Sequence, residues 1–164
     1  MSPLGLFHTM TAVVALASGA AVLLRRKGTR WHRRAGWVYA TSMLLLNASA
    51  LMIYRLFGGF GPFHVAALIS LATVLAGTVV AVRRRPAGKW IEAHYYWMTF
   101  SYMGLVAAAF AEVATRVPAA PFWPAVAVAS VAIFVIGYWV IMRRAKATLR
   151  PFAVRMEREA ARRT

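Results

Sequence analysis

The sequence predicts an all-α integral membrane protein with five transmembrane helices, and three observations predict it. The 164 residues are 61% apolar, where a soluble domain is usually nearer half; mean hydropathy is +0.60. Five runs, 4–24, 35–54, 56–82, 95–111 and 117–142, carry no charged residue, and a membrane-crossing helix needs ~20 largely apolar residues. Finally, the basic residues collect in alternate connections. A β-barrel would need alternating strands of about ten residues, and these runs do not alternate.

The spans are expected at about 4–24, 35–55, 62–82, 94–115 and 121–142. The first lacks a basic segment ahead of it and exceeds the apolar core of a typical signal peptide, so it reads as a retained helix. Its small residues Ala17, Ser18, Gly19 and Ala20 would let a neighbouring helix approach closely. The second carries Ser42, Asn47 and Ser49, polar groups expected to bond to neighbouring helices. Asn47 opens an N-x-S triplet, but glycosylation needs an exposed loop and this one lies in mid-span. The fourth opens on "HYYWMTFSY" (94–102), first an interfacial aromatic belt and second a cofactor wall. Beyond the fifth, the helix is expected to break at Pro151, leaving either a short basic helix on the membrane surface or a solvated tail. The organisation is thus a transmembrane domain over 1–142 and a basic cytoplasmic tail over 143–164.

Charge orients these spans. Connection 25–34 holds six Lys/Arg, connection 83–93 four and the tail 143–164 eight, against one each, Arg55 and Arg116, in the other two connections. Basic loops stay cytoplasmic, which puts the N-terminus outside and the C-terminus inside a bacterial inner membrane in a multi-pass topology. The net charge of +16 then reflects topology and attraction to anionic inner-leaflet lipids. No nucleic-acid motif accompanies it. There is no cysteine, which excludes disulfides, thiolate metal sites and cysteine nucleophiles.

Two segments resemble one another. "FH" (7–8), an apolar span, "RRKGTRW" (25–31) and His32 parallel "FH" (63–64), an apolar span, "RRRPAGKW" (83–90) and His94. A duplicated hairpin with both copies running in one direction implies a pseudo-twofold along the membrane normal. Four spans would form a bundle with the fifth outside it.

The only histidines are His8, His32, His64 and His94, each near the start of a different helix. His8 and His64 fall at the outer side, His32 and His94 at the inner side. From His32 to Tyr54 the second span covers about 33 Å at 1.5 Å per residue. Facing histidine pairs with a flat macrocycle between them suit b-type haem. Arg33, Arg34, Arg83, Arg84 and Arg85 could pair with its propionates, and Gly36 and Gly104 offer room for a flat cofactor. The expected function is membrane electron transfer, with quinone as a redox partner and a second copy of the chain as another candidate partner.

Two other classes compete. Interfacial histidines also serve as anchors and helix caps, which describes a non-enzymatic subunit or scaffold. Zinc or copper is the third reading, for a metal-binding protein or transporter: His32 and His94 with Glu92, or His8 and His64 with Glu112, supply three N/O ligands. The simpler role for Glu112, near the outer end of the fourth span, is an ion pair with Arg55 or Arg116. No nucleophile elbow, P-loop or GxGxxG is present, so no catalytic residue emerges.

The leading histidine, "HRRAGWVY" (32–39) and "HYYWM" (94–98) resemble a large group of predicted bacterial integral membrane proteins classed as a domain of unknown function. Its pattern is a leading His, then HR-x-x-G-x-x-Y, then H-x-x-W-M, over roughly 5–116 here. The resemblance implies His8, His32, Gly36, Tyr39, His94, Trp97 and Met98 as motif positions and implies no reaction. Many members carry Arg after the last motif histidine, where this chain has Tyr95.

Overall fold

A computed structural model describes residues 2–54, 58–114 and 121–161. Five helices follow in order: α1 (Pro3–Leu24), α2 (Arg30–Leu51), α3 (Pro62–Arg83), α4 (Trp90–Ala114) and α5 (Phe122–Ala161). No strand occurs among the described residues. α1, α3 and α5 are long and apolar enough to cross a membrane. α2 and α4 match them in length, at 22 and 25 residues, but carry more polar residues. Large apolar side chains such as Met10, Leu24, Ile69 and Val128 are more than half exposed, as a lipid-facing surface requires.

The helix starts have local causes. Ser2 caps α1, its hydroxyl accepting from the Gly5 N–H at 3.2 Å, and Pro3 occupies the first position, where its missing N–H costs nothing. Thr29 caps α2, accepting from the His32 N–H at 3.1 Å. α1 ends under Lys27, whose ammonium donates to the carbonyls of Val22, Leu23 and Arg25. A cation there also complements the helix dipole. Burial holds the Lys27 pKa below its ordinary value.

Two compact units divide the chain, Met1–Leu75 and Ala76–Thr164, with the boundary inside α3. In the first, α1 packs on α2. The buried residues of α1 are Thr11, Ala15 and Gly19, a stripe of small side chains at four-residue spacing on one helix face. Of the run 17–20 only Gly19 belongs to this stripe: Ala17 is exposed, and Ser18 bonds back to the Val14 carbonyl of its own helix at 2.6 Å. α2 answers with Tyr39, Met43, Leu46 and Asn47.

In the second unit α4 packs on α5. A Cβ added at Gly137 would lie 2.6 Å from the Met103 sulfur, so the glycine admits α4. The Tyr95 hydroxyl donates to the Ile141 carbonyl at 3.1 Å, and the Phe100 and Tyr138 rings lie 6.4 Å apart. The aromatic stretch thus binds α4 to α5.

The expected break at Pro151 is not there: α5 runs unbroken for 40 residues with Pro151 inside it. The proline removes a single backbone donor, and the turns on either side hold the helix. At 1.5 Å per residue the helix is about 60 Å long, twice a ~30 Å hydrocarbon core.

The duplicated loops share geometry as well as sequence. Arg25 lies over the Trp31 ring at 5.4 Å and Arg84 over Trp90 at 5.9 Å, the same six-residue separation in both. Each loop turns on a glycine in the left-handed region, Gly28 at φ 77° and Gly88 at φ 78°, a conformation that costs glycine no Cβ clash.

Candidate functional site

The four histidines differ in which ring nitrogen is engaged. His94 Nδ1 lies 2.9 Å from the Gly77 carbonyl oxygen. A carbonyl only accepts, so Nδ1 carries the hydrogen and Nε2 the lone pair. His8 reaches the same state by a longer route. Its Nδ1 lies 3.0 Å from Ser49 Oγ, and that hydroxyl gives its one hydrogen to the Leu46 carbonyl at 2.8 Å. Ser49 therefore accepts from His8, whose Nδ1 is protonated and whose Nε2 holds the lone pair.

His64 is the reverse. Its Nδ1 accepts from the Gly61 N–H at 3.1 Å, while the Gly61 carbonyl accepts from the His64 N–H at 2.9 Å. Here His64 sits three residues into α3 and reaches back to the residue before the helix, the part Glu or Gln plays in a capping box. In the neutral ring the hydrogen is then on Nε2. That nitrogen is buried with no hydrogen-bond partner among the described residues, and the residue is 3% exposed. The ring lies between Tyr54 at 4.8 Å and Phe60 at 5.0 Å.

His32 is half-buried near the start of α2, with Arg33 and Arg34 exposed beside it. Arg83, Arg84 and Arg85 are exposed as well. A Cβ at Gly36 or Gly104 would meet nothing within 4 Å. Among the described residues no three of His, Asp and Glu gather as a metal site, so neither three-ligand zinc or copper set, with Glu92 or with Glu112, is seen assembled. Glu112 is exposed near the end of α4; its expected partners Arg55 and Arg116 lie outside the described residues.

Within the first unit, two histidines converge on one short segment. His8 of α1 bonds Ser49, and His64 of α3 stacks on Tyr54. Sequence reasoning missed the different chemistry of these two rings, and it missed Gly77. A Cβ at Gly77 would lie 2.5 Å from the Met98 sulfur and 3.1 Å from Trp97 Cβ. The three motif residues of "HYYWM", His94, Trp97 and Met98, therefore all meet Gly77.

The sequence matches the family described as a predicted membrane protein, DUF2306, over residues 5–144. The chain belongs to that family. The DUF2306 match extends past the expected 5–116 to take in the first part of α5, the helix that Tyr95 and Gly137 lock to α4. No curated protein and no solved structure matches the chain significantly.

Proposed function

We propose that this DUF2306 protein spans a bacterial inner membrane five times, N-terminus outside and C-terminus inside, and carries electrons through b-type haem held on histidine. The orientation rests on the basic residues of 25–34, 83–93 and 143–164. His94 is the first ligand assigned.

One observation supports the assignment above others: His94 donates Nδ1–H to a backbone carbonyl. Metal-bound histidines are oriented in this way, and the hydrogen bond fixes the tautomer and raises the basicity of the ligating nitrogen. Haem supplies one-electron chemistry when bound. The chain's part is to orient the imidazole and offer arginines to the propionates. Gly36 and Gly104, with open space where a Cβ would point, suit a flat body.

A second reading is favoured by a different observation. His94, Trp97 and Met98 together make a helix joint on Gly77, which a scaffold subunit with structural histidines would also need. An absorption spectrum of the purified protein separates the two. The redox reading expects a Soret band that shifts on dithionite reduction and disappears in His94→Ala. A colourless protein whose His94→Ala variant is destabilised by about 1 kcal/mol, the net worth of one hydrogen bond, decides for the scaffold.

A further inference from the structure

His64 presents a problem that the electron-transfer reading leaves unsolved. Its Nε2–H is a buried donor with no acceptor among the described residues. Such a group costs about 1–3 kcal/mol, and folded proteins hold few of them. The ring cannot escape by changing tautomer. A hydrogen on Nδ1 would face the Gly61 N–H, donor against donor. Stacking on Tyr54 and Phe60 fixes the ring plane and so the direction of the bond.

A second donor in the same unit has the same defect. Asn47 is 4% exposed, and its Nδ2 is buried with no partner among the described residues. It lies one turn before the end of α2, two residues from the Ser49 that holds His8 and seven from the Tyr54 that covers His64. One end of the first unit thus carries two unanswered donors, with the aromatic rings of Tyr54 and Phe60, at 49% and 63% exposure, beside one of them.

We propose that this end of the first unit, with His64 and Asn47 as donors, binds an oxidised quinone. The complement of a lone buried donor is an oxygen that accepts and has nothing to donate. The complement of exposed aromatic faces in a membrane protein is a flat apolar ring that stacks on them. A quinone meets both demands and presents two carbonyl oxygens, with entry past the exposed Tyr54 and Phe60 rings. The reduced form fits worse: a hydroxyl oxygen is the weaker acceptor and brings a hydrogen that needs a partner of its own. The site therefore favours the oxidised ligand. It uses neither His94 nor His8, and it stands whether or not the chain binds haem.

The test is equilibrium binding of a short-chain benzoquinone to the full-length protein in nanodiscs. Wild-type protein is expected to bind it saturably, more tightly than the corresponding quinol. His64→Gln keeps the reciprocal cap, since Gln suits that helix position, but removes the stacked Nε2–H; affinity should fall about tenfold, within what one lost donor supplies. Asn47→Leu should weaken binding as well, while His94→Ala should leave it unchanged. Absence of saturable binding by the wild type, or equal affinity in folded His64→Gln, overturns the site and leaves buried water as the acceptor. Because His94→Ala is the variant that tests the haem reading, the two proposals fail separately.

Discussion

At the scale of single residues, the histidines are sorted by what stands against Nδ1. A carbonyl or a committed hydroxyl makes it a donor, in His94 and His8; a backbone N–H makes it an acceptor, in His64. Ser49→Ala would remove the acceptor of His8 and is expected to destabilise the α1–α2 pair by about 1 kcal/mol, measured by unfolding in mixed detergent. The glycines separate in the same manner. At Gly77 any side chain meets Met98 and Trp97, so Gly77→Leu should overpack the joint and cost about 1–3 kcal/mol or more. Nothing lies within 4 Å of a Cβ at Gly104. In the cofactor-free protein Gly104→Ala should therefore be neutral or stabilising by up to ~1 kcal/mol, the helix-propensity gain. A drop in haem content in that variant would put the macrocycle against α4.

Much of this chemistry was illegible in the sequence for a physical reason. The tautomers of His8 and His94 are set by groups 41 and 17 residues away, and no local pattern encodes them. His64 is different: Gly61-Pro62-Phe63-His64 has the residue at helix position three reaching back to the cap, and that contact is local enough to have been read.

At the scale of elements, charge-free runs located the five helices but not their ends. α2 and α4 begin at Arg30 and Trp90, inside connections that charge marks as outside the bilayer. Hydropathy reports where the lipid begins, whereas a helix begins where a cap such as Thr29 meets the first free N–H groups. The expected break at Pro151 came instead from the missing proline N–H, which the helix tolerates. Far-ultraviolet circular dichroism should show no gain in helix in Pro151→Ala, because the helix already continues through that position; an increase worth two or more turns would mean that α5 ends there. The paired loops also carry a prediction. Trp31→Leu and Trp90→Leu each remove an arginine–ring contact and should each cost about 0.5–1 kcal/mol in thermal unfolding.

At the scale of the whole molecule, membership of the DUF2306 family and the exposed apolar surface agree on a membrane protein, while orientation rests on charge alone. The absence of cysteine makes that testable by single introductions. Gly59→Cys should react with an impermeant maleimide in intact cells, and Ala87→Cys and Lys146→Cys only after lysis. Labelling of Ala87→Cys in intact cells would invert the topology or remove a span. The long α5 bears on the same point: a helix of about 60 Å cannot lie wholly within a ~30 Å core.

The claim on which the functional account turns is the division of the histidines into two tautomeric kinds. Nitrogen-15 NMR of histidine-labelled protein in lipid, assigned by single substitution, reads it directly. The account predicts hydrogen on Nδ1 of His94 and His8 and on Nε2 of His64. A His64 ring protonated at Nδ1, or a His94 ring protonated at Nε2, would contradict it.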